Sequence, residues 1–431
     1  MASNQSAPWV GAWQVLRNPR IWVMPSIIVG LLAFLLSMLY MGGILNPRAD
    51  LHRLPIGLVD ADRGAPAGTA NNLGARIVEG IAAAPDPGDT VSWRVMDEAS
   101  ARQEMASGKL YGAIVVPAGF TASVAALGAP APAAPAAPTR PTVTVLTNPG
   151  AGSLASSLAT AIAQQALHAA SLQLGAALTG APPTGSGQVT AATRLLLADP
   201  IAVAIAVGHP IGPHSGLGLT AFYYTLLLVL AGFLGGNIIG NGVDVALGYM
   251  ASEIGPLRTE RPLVHITRTH QLAVKCAMSA VLSMLTTTLI MLATIGILDM
   301  DAAHLPLLWV FSVCATTAVG VGVQAINAAF GGIGQLVGMF VFIVLALPSS
   351  GATIPLQALP HFYRVLSVFE PMRQLTDGVR AILYFDARAD AGLTRAWLGI
   401  AFGIVAGLAF GFAMTTYYDR RQLHRIAPKA G

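Results

Sequence analysis

The histidine pairs His209/His214 and His265/His270 are the first places to look for metal chemistry in this chain. Neither has ligand spacing, or acidic or cysteine residues nearby to complete a set. Gly320-Val321-Gly322-Val323-Gln324-Ala325 has the outline of a dinucleotide-binding turn, but it lies inside an apolar run with no strand before it. No G-x-x-x-x-G-K-[ST] loop is present to cradle ATP, and no G-x-S-x-G turn to present a nucleophile. The sequence therefore offers no catalytic, cofactor-binding or metal-binding constellation, and it does not read as an enzyme. What remains is the chemistry of membranes. Glu370, Arg373, Asp377 and Arg380 recur at helical spacing as one charged stripe, and neutral polar groups (Asn237, Asn241, Ser279, Ser283, Thr286 to Thr288, Gln324, Asn327) punctuate apolar runs.

The composition accounts for that chemistry. The 431 residues are 54% hydrophobic and only 10% charged, against roughly 25% charged in a soluble globular chain. Mean hydropathy is +0.63. Disorder and an ordinary soluble fold are excluded, and the two cysteines, Cys276 and Cys314, both within apolar runs, make no disulfide framework. The net charge of +4 reports membrane orientation rather than a nucleic-acid partner.

A bilayer core of ~30 Å needs about 20 apolar residues per helix. Runs free of Asp, Glu, Lys and Arg predict spans at 21–45, 217–240, 276–298, 305–330 and 396–417, with an irregular one at 333–347 stopped by Pro348. Because the windows are charge-free, ionised groups are expected to be absent from the spans, which argues against ion-coupled transport. With six spans, the basic residues Arg17, Arg20, Arg258, Arg261, Arg268, Lys275, Arg420, Arg421, Arg425 and Lys429 share one side, which the positive-inside rule makes cytoplasmic, with both termini. Residues 1–20, with Trp9, Trp13 and Leu16 on one face, read as a helix at the cytoplasmic interface, 241–275 as a cytoplasmic loop and 418–431 as a cytoplasmic tail.

Residues 46–216 read as an external α/β domain inserted between the first two spans. Strands are predicted at 54–59, 91–96, 111–116 and 143–146, helices at 73–84 and 98–107, and a flexible Ala/Pro-rich insertion at 125–141. The charge-free helix 155–178 is expected to pack on that domain or a neighbouring subunit. The fold class expected is thus a six-span α-helical membrane protein with an external α/β domain.

Three sets of residues are candidates for function. Gly232, Gly236 and Gly240, and Gly399, Gly403, Gly407 and Gly411, recur every fourth residue and predict close helix packing, within one subunit or between two. Glu253, Gly255, Arg258 and Arg261 lie in the cytoplasmic loop. Beyond 347, the Pro- and Gly-broken stretch with Gly351, Pro355 and Pro360 cannot be a lipid-facing helix. It is expected to dip into the outer leaflet as a re-entrant turn, with a helix restarting at Pro371. Together with the stripe Glu370, Arg373, Asp377 and Arg380, at 348–395, it would border an exit path as an outer gate, or else the stripe is a solvated face.

The order of these parts resembles the permeases of type 2 ABC exporters, in particular their YhgE/Pip-like branch. The resemblance rests on Arg17-Asn18-Pro19-Arg20, on Ile56-Gly57-Leu58-Val59-Asp60-Ala61-Asp62 followed by Gly64, and on Gly108 to Pro117 with Phe120. It rests further on Pro348-Ser349-Ser350-Gly351, Pro355, Leu359-Pro360, Pro371 and Arg380. It implies an export permease subunit that homodimerises in the plasma membrane and moves an amphiphile, lipid or hydrophobic drug with a separate ABC ATPase touching the loop around Glu253. In this loop Pro256 follows Gly255, a departure from the family's usual turn. The branch also contains receptors and secretion scaffolds, so a non-transporting role for the external domain is the alternative.

Overall fold

The computed structural model describes residues 17, 19–42, 45–64, 72–128, 140–180, 191–423 and 425. The predicted interfacial helix at 1–16, most of the Ala/Pro-rich insertion and the tail beyond Arg425 lie outside the described residues.

Helix α1 (Pro19–Gly42) is apolar on every side, and only its last turns are packed, where Leu36, Leu39 and Tyr40 join a cluster around Tyr363. A mixed α/β unit follows. Its elements are β1 (Leu54–Asp60), α2 (Leu73–Ala82), β2 (Val91–Val95), α3 (Glu98–Met105), β3 (Gly112–Val116), α4 (Phe120–Gly128) and β4 (Thr142–Thr147). It ends with α5 (Ser153–Gly180), α6 (Ala191–Ala198) and β5 (Ala202–Val207). The five strands run in the order β2-β1-β3-β4-β5, with only the β3/β4 pair antiparallel. Buried runs such as Ile56, Leu58, Ile114 and Val145 are what a sheet covered on both faces requires. Asn72 and Asp97 cap α2 and α3 by accepting the Ala75 and Ser100 amides. The uncharged helix α5 lies against β3, β4, α2 and α6, with Ala163 and Leu167 buried in the sheet's core, so it is part of this unit.

The remaining helices form a bundle. Leu217 carries a left-handed φ of 55° between Gly216 and Gly218, so the second long helix begins only at Thr220. This is α7 (Thr220–Ala246), followed by a short hairpin of β6 (Ser252–Ile254) and β7 (Leu257–Thr259). Then come α8 (Arg268–Met291), which continues as a π-helical turn over Leu292–Ile297, and α9 (Leu305–Phe330). Gly331, at φ 60°, ends α9 and reverses the chain. The return leg consists of α10 (Gly334–Met339), a π-helical turn over Phe340–Val344 and α11 (Ala346–Ser349). This leg ends at Ser349, one residue past Pro348. Packing of Phe342 beside Gly322 and of Asn327 beside Gly334 shows two antiparallel legs. Next come α12 (His361–Phe369), which the sequence reading did not anticipate, α13 (Pro371–Tyr384) and α14 (Leu393–Arg420).

Among the described residues, five helical stretches are long and apolar enough to cross a membrane: Pro25–Gly42, Thr220–Ala246, Arg268–Ile297, Leu305–Val344 and Leu393–Arg420. The fourth includes the reversal at Gly331, so it holds α9 and part of the return leg. Helix α9 is the hub, packed by α7, α8, α10 and α14. Helices α7 and α14 end beside the reversal and α8 begins there. The α/β unit sits at the other end, where Lys109 pairs with Asp390 at 2.7 Å and His209 meets the Tyr384 carbonyl at 2.7 Å.

Candidate functional site

Helix spacing brings polar residues together where α7 ends. Gly240, Asn241 and Asp244 share a face of α7; Arg268, Gln271, Leu272 and Lys275 follow at i, i+3, i+4 and i+7 on α8; Gln324, Asn327 and Ala328 do so on α9. With Gln335, Thr415 and Arg425 they enclose a cavity of about 270 Å³. The Asp244 side chain is buried, and its Oδ1 accepts from Gln271 Nε2 at 2.7 Å, Lys275 Nζ at 2.7 Å and Arg425 Nη1 at 2.8 Å. The Arg425 guanidinium lies 5.3 Å from the centre of the Tyr249 ring, and that of Arg268 lies 5.2 Å from Tyr418. Asp419 caps the start of α8, accepting the amides of Arg268 and Thr269 at 3.0 Å each. On α9, Gln324 donates to the Gly236 carbonyl at 2.7 Å and Asn327 donates to Asn237 at 3.0 Å. The amide oxygens of both, Gln324 Oε1 and Asn327 Oδ1, are buried with no donor among the described residues.

The charges of this site lie just beyond the charge-free runs 217–240 and 276–298, on the same helices. Asp244 and Lys275 stand on α7 and α8, within stretches able to cross a membrane. Windows cut at the first charge end at Gly240 and begin at Cys276, whereas the helices continue because these charges satisfy one another. The residues read as loop from 241 to 246 and from 268 to 275 are therefore helical. Among the described residues, no group of three or more His, Cys, Asp or Glu is placed to hold a metal ion.

The loop residues Glu253, Gly255, Arg258 and Arg261 lie beside this pocket's end of the bundle, on or next to the β6/β7 hairpin. Gly255, at φ 60°, and Pro256 form its two-residue turn, a pairing suited to a type II′ turn. Arg258 pairs with Glu253 at 3.4 Å and Glu260 at 3.0 Å, and Ile254 and Leu257 are exposed. The hairpin's base is held to α7 by the Val264 amide donating to the Leu247 carbonyl at 3.0 Å.

Both glycine rows face helices of the same chain, chiefly α9. A Cβ at Gly232 would stand 2.7 Å from Val319 Cβ, one at Gly236 3.0 Å from Val323 Cγ1, and one at Gly240 3.5 Å from Gln324 Oε1. On α14, Gly399 faces Gln374 of α13, Gly407 faces Val321 and Gly322, and Gly411 faces Ala325 and Leu272 at 2.9 Å. Gly403 is loose, with Ala318 Cβ at 3.9 Å as its nearest neighbour. The rows therefore serve close packing within one subunit.

At the opposite end, the stripe from Glu370 to Arg380 is not a solvated face. Glu370 and Arg380 are buried, and Arg373 is largely so. Glu370 caps α13 by accepting the Met372 amide at 2.6 Å, and burial pushes its carboxyl up to about 8. Arg373 lies 3.9 Å from Asp377 and donates to Ser367 Oγ at 3.1 Å. Arg380 does not pair with Asp377 or Glu370. Its Nη2 donates to the Ala352 carbonyl at 2.8 Å and so pins the broken segment. In that segment Gly351 has a φ of 66°, Pro355, Ala358 and Leu359 are buried, and Pro360 precedes α12. Ala358 and Leu359 share a cluster with Leu54 and Ile56 of β1. The α/β unit thus rests directly on the segment.

A family model described as "Protein of unknown function (DUF3533)" matches residues 26–403. The chain belongs to the DUF3533 family. This DUF3533 member is 28% identical over 115 residues to the uncharacterized protein YhgE of Bacillus subtilis (strain 168), a match covering 26% of this chain and 14% of that relative. The chain thus spans a small part of that relative's length, and the resemblance to YhgE/Pip-like proteins read from its motifs has a counterpart in this similarity. A crystal structure of "a domain of a putative ABC type-2 transporter" from Thermotoga maritima MSB8 aligns at 15% identity and a TM-score of 0.25. The alignment covers 39% of this chain and 98% of that one, a superposition too slight to bear on the fold.

Sequence reasoning picked out Asn241, Gln324 and Asn327 in this DUF3533 chain but missed the charges they surround. The signal was present: Arg268, Gln271 and Lys275 are a polar stripe at helical spacing leading into an apolar run.

Proposed function

We propose that this chain is the permease subunit of a type 2 ABC exporter. It works as a homodimer with a separate ATPase, moves an amphiphile, lipid or hydrophobic drug outward, and performs no catalysis of its own. The observation that carries the reading is the exposed β6/β7 hairpin joined to the two helices that hold the buried Asp244–Lys275 pair, which Arg425 reaches from beyond α14. A soluble partner pressing on the hairpin would act on α7 and α8, and through them on the pocket. Burying Asp244 and Lys275 where the bundle meets the cytoplasmic side is costly unless they are paired, and such a pair is sensitive to movement of either helix.

In this reading the subunit has six spans. The return leg at 334–349 rises only ~24 Å at 1.5 Å per residue, short of a ~30 Å core. The buried segment at 350–360 makes up the difference, since irregular backbone is tolerated at membrane depth where protein covers it. The start of α1 and the end of α14 then share the cytoplasmic side with Arg258, Arg261, Arg420 and Arg421. The α/β unit lies outside, and α12, whose Phe362, Val365 and Phe369 are exposed, lies on the outer interface among membrane lipids. Co-purification of an ATP-binding-cassette protein that is lost on deleting 252–259, together with reduced efflux of an amphiphilic dye in a deletion strain, is the expected result. No such partner, with unchanged efflux, would sink the proposal.

One observation favours a second reading, a surface receptor or secretion scaffold. Among the described residues the edge strand β5 pairs only with β4, and it exposes Val203, Ile205 and Val207 at 38%, 56% and 55%. Such an edge invites another protein. Changing Ile205 to Lys should abolish partner capture under this reading and leave efflux untouched under the first.

A further inference from the structure

A second cavity, of about 200 Å³, lies in the α/β unit as a slot between α2 and α5. Its walls include Ile77 and Ile81 of α2 and Trp93 of β2, which pack on the core of the sheet. Helix α5 faces them with Ala166, Ala170 and Ala177, whose methyl groups are too short to fill the gap. The lining follows α5 from Ala166 to Ala177, a rise of ~16 Å, so the slot is long for its volume. Arg76 is the one charged side chain in the lining, and Glu79, the acid nearest to it in sequence, stands outside. Arg76 is exposed, and among the described residues no carboxylate reaches it.

These features select the occupant. An apolar void of about 150 Å³ takes one benzene ring, so this slot takes a single narrow segment and not a helix ~10–12 Å across. An extended peptide would bring an amide and a carbonyl with each residue. The polar side chains of the walls are Arg76, Gln173 and Trp93, too few to answer them. A hydrocarbon chain has no polar group to satisfy and gains from every methylene it buries. At the exposed Arg76 a cationic head is repelled and an anionic one attracted. We propose that the slot between α2 and α5 binds the alkyl chain of a single-chain anionic amphiphile, with its head at Arg76.

This deepens the permease reading by naming the class of amphiphile that reaches the α/β unit, and it rests on that reading only for the delivery. Photo-crosslinking of the full chain in phosphatidylcholine nanodiscs tests it, with dodecanoate and dodecyltrimethylammonium that carry a diazirine at the chain end. Because binding is read without transport or an ATPase, its failure and the failure of the permease reading are distinguishable. The expected result is labelling of peptides from 73–84 and 166–177 that plain dodecanoate competes away and that is about fivefold weaker with the cationic probe. Ala170→Phe, which fills the slot, should lose that labelling at an unchanged thermal midpoint. Arg76→Glu, on an exposed helix face where the fold tolerates it, should weaken dodecanoate labelling about fivefold, the scale of an exposed ion pair. Labelling confined to other segments, equal labelling by the two probes, or undiminished labelling in either folded variant would overturn the inference. So would capture of a second copy through Ala170→Cys with no labelling by dodecanoate, which would make the slot a contact between subunits.

Discussion

A methyl group added at Gly232 has no space to occupy. Its Cβ would lie 2.7 Å from Val319 Cβ and 2.9 Å from the Thr316 carbonyl oxygen, where carbon atoms in contact prefer about 3.5–4.0 Å. Neither neighbour is the free end of a flexible chain, so α7 and α9 must separate by roughly 1 Å. That movement also loosens the next contact, Gly236 against Val323. Overpacking of this kind costs ~1–3 kcal/mol. Gly403→Ala is the matched control, because its nearest neighbour is Ala318 Cβ at an ordinary 3.9 Å and the change gains up to ~1 kcal/mol of helix propensity. The fraction of monodisperse protein surviving heating in detergent measures both. Gly232→Ala should lower the midpoint clearly, and Gly403→Ala should leave it unchanged or raise it. Equal midpoints, or a larger loss at Gly403, would refute the assignment of these rows to packing against α9.

Asp244→Ala should cost ~3–5 kcal/mol, since it strands Lys275 and Arg425, and adding Lys275→Met should recover part of that; denaturant titration of helicity measures the coupling. The Glu370 carboxyl is raised from 4.5 to about 8 by burial, so the fold holds its proton more tightly than the unfolded chain does. Its contribution to stability is therefore complete below pH 4.5 and lost as pH rises through 8, on the order of 5 kcal/mol at most, and Glu370→Gln should flatten that slope in thermal melts across the window. With Cys276 and Cys314 replaced by Ala, Thr353→Cys should label with a small thiol reagent while Ala352→Cys and Ala358→Cys stay protected. Adding Arg380→Ala should expose the position at 352, and equal labelling throughout would show that Arg380 pins nothing.

Much of the architecture is legible in the sequence because apolar length and alternation are local properties. The apolar core of each long helix, four of the five strands of the α/β unit's sheet and the start of α13 at Pro371 follow from runs, β-branched residues and one proline. The fifth strand escaped because its alternate positions are alanine, a residue poor in strand signal, and β5 is fixed instead by pairing with β4. The ends of α7 and α8 escaped for a different reason. A charge ends an apolar window whatever it touches, but it ends a helix only if nothing answers it. Asp244, Gln271, Lys275 and Arg425 answer one another across as many as 181 residues of chain. The stripe from Glu370 to Arg380 shows the same division. Its spacing on one helix was readable, whereas its burial was not, because that depends on the α/β unit closing over the segment at 350–360. The sequence by itself determined which stretches avoid water and how side chains repeat along each helix. Only the tertiary structure decided which charges share a pocket, since mutual neutralisation is a property of distances between helices and no local pattern records it.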